Sequence, residues 1–252
     1  MISILEAFIL SIVQWITELF PVSSSGHLAI FHNLLGFQNL PFDVFLHLAC
    51  LVAVIVVFWK DLVILFHLKE KENRRMLFGL GIATIPAVLA GFFLKDVIEG
   101  FFASILYLGI FFMISGVIVY CTKFTKERKQ KMNYFDSIFV GIFQAIAILP
   151  GISRSGSTIS AGLFRGISRE KAVKFAFLLS IPVIFGASFI ELPSVHFAEI
   201  SYGLLIFSFV LTFFVSIFVI RLLRLLVYRE KFYLFGIYNF LLGLLLILLS
   251  VF

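Results

Sequence analysis

The chain has 252 residues, 62% of them apolar and only 13% charged, with a mean hydropathy of +1.12. A water-soluble globule of this size has too little interior to hide that much apolar surface, 34 phenylalanines included, so a soluble enzyme, a disordered tail and a disulfide scaffold are excluded. The formal net charge of +6 therefore bears on how Lys and Arg sort across a bilayer, and not on a nucleic-acid partner.

In chain order, the first apolar stretch, residues 1–35, is interrupted by Pro21-Val22-Ser23-Ser24-Ser25-Gly26-His27. Its start has no basic segment and no small-residue cleavage site soon after, so no removable signal peptide is expected. Runs of about 20 apolar residues, the length that crosses a bilayer, follow at 41–66, 76–94 and 101–121. A second interrupted stretch, 134–164, is broken by Pro150-Gly151-Ile152-Ser153-Arg154-Ser155-Gly156-Ser157-Thr158. Three more spans are expected at 172–190, 200–220 and 233–252. Pro, Gly and Ser in such runs break helices, and open backbone at membrane depth needs protein or a watery cavity around it. Cys50 and Cys121, in or at the end of apolar runs, read as packing residues.

The basic residues decide which stretches cross. Eighteen of the 20 Lys and Arg fall in four clusters, at 60–75, 123–131, 165–174 and 221–231, leaving Lys95 and Arg154. The connections near Lys95-Asp96-Glu99 and Glu191-His196-Glu199 are acidic or neutral. With all four clusters on the cytoplasmic side, 134–164 begins and ends there and must be a re-entrant hairpin with its polar loop at the tip. Residues 1–35 become a second hairpin entering from the other side. The expected fold is an all-α polytopic membrane protein, six transmembrane helices plus two re-entrant helical hairpins in an inverted-topology repeat. Residues 1–252 form one membrane domain, with repeats at about 1–122 and 132–252. At an offset of 130, Gln14 matches Gln144, Ser23 matches Ser153, Ser25 matches Ser155, Gly26 matches Gly156 and Gly36 matches Gly166, while Glu6 faces Asp136. Inverted repeats with broken helices place a site where the tips meet near the midplane.

Arg154 is the basic residue away from the membrane edges, and an intramembrane charge is functional by default. Its neighbours Gly151, Ser153, Ser155, Gly156, Ser157 and Thr158 supply hydroxyls and open backbone N–H groups, which with a guanidinium suit phosphate. A structural reading stands beside this: Arg154 pairs with Glu18 and locks the hairpins together. Glu18, one helical turn after Gln14, could act as a base, hold a divalent cation or neutralise Arg154. Ser23, Ser24, Ser25 and His27 add a candidate nucleophile and proton carrier, although serines at a helix break also serve as caps. His32, His47 and His67 read as packing or interfacial residues, His47 being placed where it could reach the cavity; Asp43 and Glu6 read as solvated. There is no HExxH, no Walker loop and no paired CxxC. Ser25-Gly26-His27 matches the central motif of acid-phosphatase-like lipid phosphatases, but their other motifs are missing.

Gln14-Trp15-Ile16-Thr17-Glu18-Leu19-Phe20-Pro21-Val22-Ser23-Ser24-Ser25-Gly26-His27-Leu28 resembles the first signature of the undecaprenyl-diphosphate phosphatases, the bacitracin-resistance protein family. Leu149-Pro150-Gly151-Ile152-Ser153-Arg154-Ser155-Gly156-Ser157-Thr158 resembles the second, and Phe42-Asp43-Val44-Phe45-Leu46-His47-Leu48 is similar to a segment between them. The resemblance covers essentially the whole chain.

It implies an enzyme that removes the terminal phosphate of undecaprenyl diphosphate, regenerating the carrier for peptidoglycan synthesis, with a divalent cation, Mg or Ca, as cofactor. It places Glu18, Ser24, His27 and Arg154 on catalytic positions, with Ser23, Ser153, Ser155 and Thr158 around the phosphate. The expected binding set also takes in Gln14, Ser25 and Gly156, and Glu18 is the expected metal ligand. Two departures stand out: Gln14 lacks the carboxylate that members also carry there, and Trp15 replaces a Gly. Expected partners are a polyprenyl diphosphate lipid and the membrane, with a homodimer as one expected assembly. The expected location is the bacterial plasma membrane, the site facing outward. The rival reading is a transporter or flippase of a phosphorylated polyprenyl lipid, since inverted repeats are equally typical of carriers.

Overall fold

A computed structural model of the chain describes residues 12–14, 16–35, 40–191 and 201–251, without the side chains of 34–35, 40–41, 43, 44, 99 and 191. The readings placed on Glu6, Trp15, Gly36, His196 and Glu199, and on the side chains of Asp43, Glu99 and Glu191, lie outside the described residues. The described chain is helical, its one β contact being an isolated bridge between Lys129 and Ile167.

We number the helices α1 (Ser24–Leu35), α2 (Leu40–Val57), α3 (Trp59–Leu65), α4 (Lys71–Phe93), α5 (Lys95–Phe102), α6 (Ile105–Tyr120), α7 (Tyr134–Ile146), α8 (Arg154–Phe164), α9 (Arg169–Glu191), α10 (Tyr202–Tyr228) and α11 (Tyr233–Val251). Among them five are long and apolar enough to cross a membrane, and a sixth crossing results if α2 and α3 are taken together. That pair corrects the expectation of a continuous span over 41–66, because the chain bends by 71° between them. The bend falls where the apolar run meets Lys60 and Asp61. Turning there lets Asp61 pair with Lys174, while buried Phe58 stacks on Phe177 with ring centroids 5.4 Å apart. The crossing expected at 101–121 begins only at Ile105, preceded by the short α5, and that expected to end near 220 runs on to Tyr228.

The interrupted stretches behave as their composition demands. In the second, α7 and α8 flank an open loop at 147–153. With 13 residues, α7 is about 20 Å long, short of the roughly 30 Å apolar core. In the first, the chain leaves helical geometry at Glu18 and re-enters it at Ser24. The two return helices thus begin 130 residues apart, at Ser24 and Arg154.

Ion pairs gather the four basic clusters on one face. Glu72 joins Lys131 and Lys171, Arg169 joins Glu127 and Glu230, and Asp136 joins Lys129 and Arg165. From this end α8, 11 residues long, rises about 16 Å to Arg154, half the thickness of the apolar core.

Helices α6 and α11 form the tightest seam, and their contacts run in opposite order, so they are antiparallel. A Cβ on Gly109 would lie 2.9 Å from the Gly243 carbonyl oxygen, and one on Gly116 would lie 2.8 Å from that of Gly236. Only glycine permits this approach, in the manner of small-residue seams between membrane helices.

Candidate active site

The second loop is organised by one hydroxyl. Ser153 caps α8, its Oγ accepting from the Gly156 N–H at 3.1 Å, and stands 3.3 Å from the Ser155 hydroxyl. The Ser153 N–H donates to Ser115 Oγ on α6 at 3.1 Å. Gly151 turns the chain at φ +100°, where a Cβ would meet the Leu108 carbonyl at 2.9 Å. These bonds leave Arg154 at the start of α8, aimed across at the first loop.

The first loop is built alike. Ser23 Oγ accepts from the Gly26 N–H at 3.3 Å and stands 3.4 Å from Ser25 Oγ. Ser23 also accepts from the Gly151 N–H at 3.1 Å, which fastens one tip to the other. It does so at φ +65°, a conformation a serine holds only when its surroundings over-determine it. Ser155 donates back to the Phe20 carbonyl at 3.0 Å. Asn239 of α11 donates to the Pro21 carbonyl at 2.7 Å and reaches Ser115 at 3.4 Å.

Glu18 sits at the junction, its side chain 2% exposed. One carboxylate oxygen, Oε1, accepts from Arg154 Nη2 at 2.5 Å. The other accepts from Ser24 Oγ at 2.5 Å and Gln14 Nε2 at 2.9 Å, with His47 Nε2 at 3.1 Å. Both of the readings given to Arg154 meet here. The ion pair is present, yet Arg154 Nη1 is buried with no acceptor among the described residues. A guanidinium held by one edge and open at the other offers donors to a phosphate oxygen. Beside it a small cleft is lined by Glu18, Arg154, Ser155, Thr158, Phe177 and Ser180.

Of the sequence-derived candidates, Gln14, Glu18, Ser24 and Arg154 are joined directly; Ser23, Ser25, Ser153, Ser155 and Gly156 form the loops that hold them. Thr158 lines the cleft, its hydroxyl donating to the Arg154 carbonyl at 2.8 Å. His27 turns away: Nε2 bonds the Tyr238 hydroxyl at 2.8 Å and Nδ1 the Ser23 carbonyl at 2.7 Å, with the ring edge-on to Phe112.

Sequence reasoning does not single out Ser115, Tyr238 or Asn239, and it reads His47 chiefly as a packing residue within reach of the cavity, where the structure sets it against Glu18. Asn239 carried a signal nonetheless, being the one amide side chain in the apolar run 233–252.

A hard divalent cation takes several oxygen ligands. Among the described residues no group of three or more His, Cys, Asp or Glu could hold a metal. Gln14 Oε1 is, however, a buried carbonyl oxygen without a partner among the described residues, one helical turn before Glu18, whose carboxylate its own amide touches. Two oxygen donors fit a cation whose remaining ligands come from substrate phosphates and water, the usual arrangement for Mg.

Comparison with known proteins places these loops in context. The profile described as "Bacitracin resistance protein BacA" matches residues 7–245. A protein of Methanococcus maripaludis (strain C7) named "Undecaprenyl-diphosphatase" is 41% identical over 246 residues, covering 94% of this chain and 96% of its own. Proteins with the same name from Methanosphaera stadtmanae and Halothermothrix orenii are 34% and 35% identical, covering 100% and 98% of this chain and 99% and 98% of theirs.

Proposed function

The chain belongs to the Bacitracin resistance protein BacA family, and from that premise we propose that it hydrolyses undecaprenyl diphosphate to undecaprenyl phosphate and inorganic phosphate within the membrane. It is a multi-span membrane hydrolase. The observation that carries the mechanism is the convergence of Ser24 and Arg154, from different hairpins, on the single carboxylate of Glu18.

In this reading the open Nη1 edge of Arg154 binds the terminal phosphate and stabilises charge as it builds on the transferred group, and the hydroxyls of Ser155 and Thr158, which line the same cleft, turn from their backbone carbonyls to donate to it. Ser24 Oγ attacks the terminal phosphorus and the anhydride P–O bond breaks. Glu18 takes the serine proton, for which it is already placed, and passes it to the departing phosphate oxygen. Water then cleaves the phosphoserine, one of its protons returning through Glu18 to Ser24 Oγ. His47 and Gln14 hold the carboxylate in place; His27, locked to Tyr238, orders the loop. A divalent cation, Mg or Ca, would be held by Glu18 and Gln14 Oε1 and would supply neutralising charge to the phosphate oxygens.

The gathering of basic clusters on one face supports a cytoplasmic side there. The rise of α8 to Arg154 supports a site at mid-depth, and the family resemblance implies access from the outer side of the plasma membrane, with the apolar helices against the prenyl tail. Equal starts of α1 and α8, equal caps and the reciprocal glycine seam of α6 and α11 support the inverted repeat.

Purified protein in detergent releases inorganic phosphate from a polyprenyl diphosphate, whereas Arg154→Ala and Glu18→Ala release none. Folded wild-type protein that binds the lipid without release would replace the enzyme by a carrier. Acid-quenched turnover with substrate labelled in the terminal phosphate leaves label on wild-type protein and none on Ser24→Ala. Full activity of Ser24→Ala assigns the attack to water.

A further inference from the structure

A second polar cavity, separate from the Glu18 junction, lies at the basic face between the start of α4, the segment leading into α7, and α9. Its volume is about 280 Å³. Its rim carries Lys71, Arg75, Lys131 and Lys171 against a single acid, Glu72, and its floor includes Met76 and Phe175. The two halves of the rim differ. Glu72 bridges Lys171 at 3.1 Å and Lys131 at 3.6 Å, so these lysines are held across three segments of the wall. Lys71 and Arg75 pair with no carboxylate among the described residues. Like charges brought together without counter-charge repel each other, and in a half-enclosed cavity water screens them less than on an open surface. The arrangement therefore favours an anion.

Size and setting narrow the class. A volume just below the roughly 300–1,000 Å³ of ordinary small-molecule pockets holds a head group and excludes a long prenyl chain. Guanidinium and ammonium groups converging over an apolar floor suit a phosphate oxygen set with a short aliphatic stem. The cavity opens on the face where Lys and Arg are concentrated, the face that meets anionic lipid head groups, and basic pockets between membrane helices bind such groups.

We infer that this cavity is a binding site for a phosphate-bearing anion, occupied by the head group of an anionic phospholipid. The site is independent of the reaction proposed for the Glu18 junction, since none of its residues belongs to that junction. By joining α4, α9 and the entry to α7, its occupant ties the base of the second hairpin to two crossing helices.

The test compares wild-type protein with Lys71→Ala/Arg75→Ala, and with Arg75→Gln as a milder variant that leaves packing intact. Neither residue supports the wall through an ion pair, so both variants should fold and release phosphate as wild type does. Native mass spectrometry from detergent containing phosphatidylglycerol should show one tightly retained lipid on wild type, reduced at least about fivefold on the double variant, with phosphatidylcholine not retained. Added pyrophosphate that leaves the retained lipid in place supports the lipid as occupant. Pyrophosphate that displaces it and raises the melting temperature of wild type alone would assign the cavity to a soluble phosphate ligand instead. Equal retention of phosphatidylglycerol by all three proteins, or none by wild type, overturns the inference.

Discussion

The two hairpin tips are built on one plan and used for different ends. Ser23 and Ser153 each cap a return helix through a glycine N–H three residues on, each beside a second serine hydroxyl at 3.4 and 3.3 Å. Burial matches position by position from 21 to 29 and from 151 to 159. The equivalent positions 24 and 154 nevertheless hold a serine and an arginine, and both side chains reach Glu18. The lesson is a division of labour: one copy of the scaffold presents a hydroxyl and its carboxylate, the other presents the cation that receives phosphate.

That division predicts unequal responses to equal substitutions. The largest belongs to Arg154→Ala, which should lower kcat/KM by at least about 1,000-fold, the upper range for losing one preorganised donor. Arg154→Lys, keeping charge without the fork, should recover only part of it; full recovery would show that the second tip supplies charge alone. Next comes Gly26→Ala, whose methyl would lie 2.7 Å from the Phe112 ring and 2.9 Å from Gly151 Cα in the other tip. It should destabilise the protein by about 1–3 kcal/mol, read as a lower melting temperature in detergent. Gly156→Ala should be milder, since that methyl meets only the side chains of Ser153 and Val119 at 3.0 Å. Equal losses at both glycines would refute the interlocked tips.

His47→Phe removes a partner of Glu18 while keeping a ring, and should lower kcat about tenfold with little change in KM. An unchanged kcat would return His47 to a packing role. The smallest difference concerns the caps. Ser153→Ala should cost about 1 kcal/mol of stability, the ordinary value of an N-cap. Ser23→Ala should cost more, because Ser23 Oγ accepts from Gly151 as well as Gly26. Thermal unfolding of the two variants side by side measures the difference.

The tips were readable because Pro, Gly and Ser in an apolar run violate the composition around them, and because a lone Arg and Glu at membrane depth have few partners to choose from. The pairing of residues 136 apart followed from that scarcity alone. What stayed hidden depends on packing between distant segments. The bend at Phe58 reflects where Asp61 finds Lys174 and where Phe58 stacks, neither of which leaves a trace in local hydropathy. His47 resembles any histidine in an apolar helix until α2 is set beside the first tip. His27 sits in the motif, but the direction of its ring is decided by Tyr238, 211 residues away.

The glycine seam of α6 and α11 governs how such a site can be reached. Ser115 on α6 holds the second tip, while Asn239 and Tyr238 on α11 hold the first, so both tips hang from one spine. Backbones already in contact cannot slide past each other without collision. The spine is thus a fixed keel, and the cleft beside the carboxylate faces the opposite flank, where Phe177 and Ser180 of α9 line it.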